Sequence, residues 1–194
     1  MPNMMAEYNA KLDSKDPNIL VGDFTQRGQE FKLVMVRGSV EEEDLRPQEP
    51  KPPFKYYTED VTFKNEKDGI TLTGTLTKPR KRGKYRAVVL VSGSGPQDRN
   101  EEILGHKPFW VIADYLTKNG YAVLRYDDRG TAKSKGNFST ATTFDLAEDA
   151  KSAVSFLKTQ KGITDIGIIG HSEGGLIAPI VASEMPDLAF IVLM

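Results

Sequence analysis

An apolar stretch, Ile166–Ile169, runs into Gly170-His171-Ser172-Glu173-Gly174 and re-emerges as helical spacing over Leu176–Ala182. A strand that becomes a helix within so few residues holds its central residue in strained backbone geometry. A side chain at either flanking position would collide with the strand or the helix beside it, and glycine at 170 and 174 answers that demand. Ser172 then sits at the tip of the turn, its hydroxyl presented beyond the end of a buried strand. An ordinary βα turn also accommodates a serine. With 17 glycines in the chain, the bare five-residue pattern arises by chance in roughly one such chain in ten. The weight of the reading therefore lies on the strand before it and the helix after it.

The segments upstream repeat the same alternation. Ala87–Val91 is a continuous apolar run with β-branched residues, the pattern of a strand buried on both faces, and Ser92-Gly93-Ser94-Gly95-Pro96 ends it. Phe109–Lys118 has helical spacing, with Pro108 in the first turn and Gly120 at the stop. Tyr121–Tyr126 returns to strand. Thr142–Lys158 is the clearest helix: Leu146, Ala150, Ala153, Val154 and Leu157 share one face, and Thr142 with Asp145 forms a capping-box pattern. Leu188–Met194 is a last strand. Ahead of these, Val61–Lys64 and Ile70–Thr77 flank Glu66-Lys67-Asp68-Gly69, which predicts an antiparallel hairpin. Strand and helix in this order build an α/β fold, a mostly parallel sheet with helices on both faces.

The first 54 residues follow a different pattern. Ile19–Phe24 and Phe31–Val36 are rich in β-formers and flank Gln26-Arg27-Gly28-Gln29, a hairpin turn. A lone hairpin is marginal in water, so this piece is expected to pack on something else and to be the remnant of a larger accessory domain. An acidic run, Glu41-Glu42-Glu43-Asp44, and the proline-rich Arg46–Pro53 follow. The first is a solvated charge run, the second an extended connection. The expected division is residues 1–54 as β segment plus linker and 55–194 as the α/β domain.

Composition removes several classes of function. Lys plus Arg number 26 against 27 Asp plus Glu, so no surplus of positive charge exists to drive binding to a nucleic-acid backbone. The apolar runs are far shorter than the roughly 20 residues of a membrane-spanning helix. There is no cysteine, which excludes thiol chemistry, and the two histidines stand apart with no ligand-spaced cluster, so no metal or organic cofactor is expected. The compartment stays open: Met1–Ala10 has neither the basic start nor the apolar core of a signal peptide, and a chain without thiols suits oxidising and reducing surroundings alike.

Acyl transfer at Ser172 needs donors for the oxyanion and a general base. The first donor is the backbone N–H of Glu173, at the start of the new helix. The second is expected from the glycine loop, with the Ser94 amide as candidate, because small residues there let the backbone approach a substrate carbonyl. That loop lacks the Lys-Ser or Lys-Thr of a P-loop, and Asp98 stands where a dinucleotide fingerprint has its third glycine. A plain structural turn is the alternative. Neither histidine makes a convincing base: His171 precedes the nucleophile on a tight turn that should point its ring away from the hydroxyl, and His106 has a loop or capping role. Asp127-Asp128-Arg129-Gly130 has the look of a loop-fixing ion-pair cluster.

Four stretches together, Ser92–Arg99, His106–Phe109, Arg125–Gly130 and Gly170–Gly175, resemble a bacterial α/β-hydrolase group of carboxylesterase-like enzymes related to the serine aminopeptidase-like hydrolases. The likeness covers about Pro47 to Met194 and includes the proline-rich lead-in. It implies an α/β-hydrolase fold, a small-molecule ester substrate, and a triad acid and histidine that follow the serine in the order Ser, Asp or Glu, His. Those positions fall beyond Met194, so the resemblance implies a C-terminally truncated chain that holds the nucleophile and oxyanion donors and is itself inactive. Such proteins usually have another glycine in place of Ala132, which questions the shape of that loop and not the nucleophile. A peptidase or thioesterase of the same superfamily uses the same elbow. A different class is a non-catalytic binding or assembly module that self-associates through the exposed C-terminal strand.

Overall fold

The computed structural model describes residues 6–26, 28–38 and 46–194, and the chain divides into two compact units, Met1–Leu45 and Arg46–Met194. The acidic run at 41–44 and Arg27 lie outside the described residues.

The first unit is a three-stranded antiparallel sheet of β1 (Ala6–Leu12), β2 (Ile19–Gln26) and β3 (Gln29–Val36), in that order. The expected hairpin is present as β2 and β3, with Gly28 at φ 80° in the turn. The sequence reading missed β1, although Tyr8, Ala10 and Leu12 alternate with Glu7, Asn9 and Lys11 at the strand period of two. Register places Tyr8, Phe24 and Phe31 in one cross-strand row, with ring centroids 4.8 Å and 6.0 Å apart.

The second unit begins at Arg46, so the proline-rich stretch belongs to it. Glu49 lies 3.6 Å from Lys107 Nζ, and the Phe54 ring packs edge-on to Trp110, which together fasten this stretch to the segment that opens the first helix. The strands are β4 (Tyr57–Asn65), β5 (Ile70–Lys78), β6 (Tyr85–Val91), β7 (Ala122–Tyr126), β8 (Ile163–Gly170) and β9 (Phe190–Leu193). The helices are α1 (Pro108–Lys118), α2 (Thr143–Thr159) and α3 (Glu173–Glu184). The sheet order is β4-β5-β7-β6-β8-β9, antiparallel from β4 through β7 and parallel from β7 through β9.

Local chemistry sets these elements. Gly69 takes the positive φ, 67°, that the β4–β5 turn requires. Pro108 opens α1 at its first turn, and Thr142 caps α2 in a two-way exchange with Asp145. On β6, Ala87, Val89 and Val91 pack into one core with α2 and α3, while Val88 and Leu90 pack into a second core with α1. The strand is buried on both faces, as its unbroken apolar sequence predicts. From β6 the chain crosses over α1 to β7 on one side, and then over α2 to β8 on the other. The carboxyl end of β6, next to that of β8, is therefore the point where the topology reverses and where open α/β sheets form their crevices.

Candidate active site

Ser172 stands at that point. β8 ends at Gly170 and α3 begins at Glu173, so the chain reverses through His171 and Ser172 alone, and Ser172 adopts φ 52°, ψ −112°. This is left-handed territory in φ, costing a non-glycine residue on the order of 1–3 kcal/mol. Backbone bonds hold it there: His171 N–H donates to Val91 O (3.0 Å), Ser172 N–H to Met194 O (2.9 Å), Gly174 N–H to His171 O (2.8 Å) and Gly175 N–H to Ser172 O (2.9 Å). The flanking glycines are a steric necessity. A Cβ on Gly170 would lie 2.0 Å from Gly174 O, and one on Gly174 would lie 2.2 Å from Val91 O. The serine is exposed at the tip.

The glycine loop after β6 lies against it. A Cβ on Gly93 would stand 3.1 Å from the Ser172 Cβ. Asp128, just past β7, accepts from Ser92 Oγ at 2.8 Å and from Gln97 N–H at 2.9 Å. Asp127 accepts from the Arg99 N–H and, on both oxygens, from its guanidinium at 2.7–2.9 Å. Arg125 of β7 donates to Asn100. The two adjacent carboxylates titrate differently. Burial drives Asp128 up to about 7, against the pull of the Gln97 and Ser92 bonds. Burial acts on Asp127 in the same direction, but the bonds from Arg99 override it and hold that carboxyl below its ordinary value. With the loop fixed this way, neither the Ser94 N–H nor the Glu173 N–H has an acceptor among the described residues. The Glu173 side chain, for its part, accepts a 2.7 Å bond from Thr143 Oγ1 at the start of α2.

The loop-fixing role expected of Asp127-Asp128-Arg129 is present, but not as a local cluster. Arg129 leaves its neighbours and bonds Asp149 of α2 at 2.7 Å and Asp68 of the β4–β5 turn at 2.8 Å. Ala132, where the resemblance leads to an expectation of glycine, adopts φ 45°. His106 exchanges backbone bonds with Ile103, and no side chain among the described residues bonds the Ser172 hydroxyl. The His171 ring turns instead to a residue that no sequence pattern singled out: its Nδ1 lies 2.7 Å from Oε1 of Glu101. Glu101 is buried, at φ 52°, and the same oxygen accepts the Gly93 N–H at 2.7 Å. No periodicity sets Glu101 apart from Glu102 beside it or from the rest of the loop, so nothing short of the fold could have found it.

Residues 108–194, from α1 to the end of β9, match the family model "Serine aminopeptidase, S33". The chain is 37% identical over 113 residues to Esterase EstD of Thermotoga maritima, covering 58% of this chain and 27% of the relative. Among solved structures it resembles a Pyrococcus furiosus esterase, with 28% identity, TM-score 0.59 and coverage of 70% of this chain and 50% of that one. A hypothetical protein from Pseudomonas aeruginosa aligns with TM-score 0.63 at 26% identity, over 75% of this chain and 44% of the other. The chain thus spans half or less of the length of each of these proteins. Sheet order and structural neighbours give the Arg46–Met194 unit an α/β-hydrolase fold, and the family match and relatives make it similar to the esterase and serine-aminopeptidase-like group of that fold.

Proposed function

We propose that the protein is a serine hydrolase of carboxylic esters with Ser172 as nucleophile and the Ser94 and Glu173 amides as oxyanion donors. The observation that carries this is the strained Ser172 elbow, set beside a fixed loop with both amides unengaged. In the first half-reaction the Ser172 oxygen bonds to the ester carbonyl carbon, its proton passes to a general base, and the carbonyl oxygen becomes an oxyanion between the two amides. Collapse expels the alcohol, which takes the proton back from the base. Water then repeats the sequence on the acyl-serine and releases the carboxylic acid. In this proposal the base and its orienting acid come from chain beyond these 194 residues, in keeping with the small share of each relative that this chain covers.

Hydrolysis of short-chain nitrophenyl esters by the 194-residue chain and by a longer protein that carries the following segments tests both halves. Near-zero turnover in the first and activity in the second, abolished by Ser172→Ala, is the expected result, since loss of a triad base costs about four to six powers of ten. Equal rates in the two proteins would refute the missing-base proposal, and an active Ser172→Ala variant would refute the nucleophile. A second reading, self-association through the last strand, has in its favour that β9 borders the described sheet with Val192 and Leu193 exposed. A strict monomer in sedimentation refutes it.

A further inference from the structure

Both oxyanion donors are backbone amides, so their separation is set by whatever holds the β6 loop against the elbow. One side-chain atom does this directly. Oε1 of Glu101 lies 2.7 Å from the Gly93 N–H and 2.7 Å from His171 Nδ1. Gly93 immediately precedes Ser94, and His171 precedes Ser172 and Glu173. A single oxygen therefore ties the residue before the loop donor to the residue before the nucleophile. The glutamate is committed to that position: its side chain is 5% exposed, and its backbone accepts φ 52° to put it there. Its charge has no lysine or arginine partner among the described residues, so stability alone gives a poor account of burying it.

We propose that Glu101 is a positioning residue that fixes the oxyanion gap by bridging Gly93 and His171 through one carboxylate oxygen. The proposal rests on the reading of Ser172, Ser94 and Glu173 given above. The oxygen that accepts the Gly93 N–H accepts from the ring as well, so the bridge needs a proton on His171 Nδ1. Oxyanion donors act within about 2.7–3.1 Å of the developing charge. Losing the bridge lets the gap widen, and a misplacement of about 1 Å costs on the order of 100-fold in rate. The loss should fall on kcat, because the ground-state ester does not yet carry the oxyanion.

The test uses the full-length protein with a nitrophenyl ester, together with NMR of the His171 ring nitrogens and of the Gly93 amide. Glu101→Ala should lower kcat about 10- to 100-fold with KM within about threefold. Glu101→Gln, whose carbonyl oxygen can occupy the Oε1 position, should recover most of that loss. The wild-type ring should carry its proton on Nδ1 and the Gly93 amide should exchange slowly, with both signatures lost in Glu101→Ala. If Glu101→Ala does not fold, His171→Ala removes the half-exposed arm of the bridge and should lower kcat at least about fivefold with KM unchanged. A kcat within twofold of wild type in whichever variant folds overturns the proposal, and so does a change confined to KM or a Glu101→Gln loss equal to that of Glu101→Ala. A wild-type protein that hydrolyses no ester defeats the functional reading instead. The NMR arm then decides the bridge alone, and an Nε2-protonated His171 with a fast-exchanging Gly93 amide overturns it.

Discussion

Asp128 makes stability depend on pH in the direction opposite to most carboxylates. It is 6% exposed, bonded by Ser92 Oγ and the Gln97 N–H, and no cation among the described residues pairs with it. Burial, reinforced by the nearby Asp149 and Glu101 carboxylates, lifts it from 3.8 to about 7. A folded-state value above the unfolded one means the native protein holds a proton that the unfolded chain has released. The stabilisation is full below about pH 4 and is lost as pH rises to about 7. The shift is about 3 units at 1.36 kcal/mol each, so the group alone takes away about 4 kcal/mol across that window. Asp128→Asn copies the neutral acid: its carbonyl can accept from Gln97 N–H while its amide donates to Ser92 Oγ. Urea unfolding followed by the fluorescence of Trp110, the single tryptophan, which lies in the Arg46–Met194 unit, reads the effect at pH 4, 5.5 and 8. Variant and wild type should match at the lowest pH, and the variant should be the more stable by a few kcal/mol at the highest. A difference that does not change with pH, or one that favours wild type as pH rises, refutes this account of Asp128.

Two backbone positions give simpler tests by thermal unfolding. Ala132→Gly should stabilise by about 0.5–1 kcal/mol, because relief of the φ of 45° outweighs the extra freedom glycine gains in the unfolded chain; a destabilised variant refutes it. Gly174→Ala should cost about 3 kcal/mol, since its methyl would meet the Val91 and Ser92 carbonyl oxygens at 2.2 Å and 2.8 Å. Gly175→Ala, one residue on with nothing nearer than 3.6 Å, should be neutral or gain up to about 1 kcal/mol. Similar effects at the two positions would remove the steric argument for the elbow.

The parts of the site that could be read from the sequence are those with a local steric or periodic cause. Gly170 and Gly174 are demanded by contacts across the elbow that any strand-to-helix turn of this length creates. The α2 cap is written in Thr142 and Asp145, and the burial of β6 on both faces is written in its unbroken apolar run. The first strand of the N-terminal unit, β1, was equally legible by its alternation, but Tyr8, Ala10 and Leu12 are interleaved with polar residues and lack the β-branched richness that marked its partners. Asp127, Asp128 and Arg129 show where local reading stops. Their adjacency suggested pairing among themselves, whereas the fold sends the two aspartates to Arg99 and Ser92 on the loop after β6 and the arginine to Asp149 on α2.

Glu101 carries that point furthest. Its partners are 8 and 70 residues away, one a backbone amide and the other a ring on the far side of a crossover, so no spacing could announce them. Yet the elbow's strain explains why such a residue is needed. A serine held at φ 52° by carbonyls of β6 and of Met194 is only as well placed as the strands behind it, and the loop that carries the opposing amide leaves β6 through glycines that fix little by themselves. Asp128 and Asp127 anchor that loop to the end of β7, on the side away from β8, and among the described residues the Glu101 side chain is what joins it to the turn at Ser172. The strained serine that the sequence identifies and the buried glutamate that it hides belong to one arrangement, in which, on the proposal made above, the first presents the nucleophile and the second sets its distance from the glycine loop.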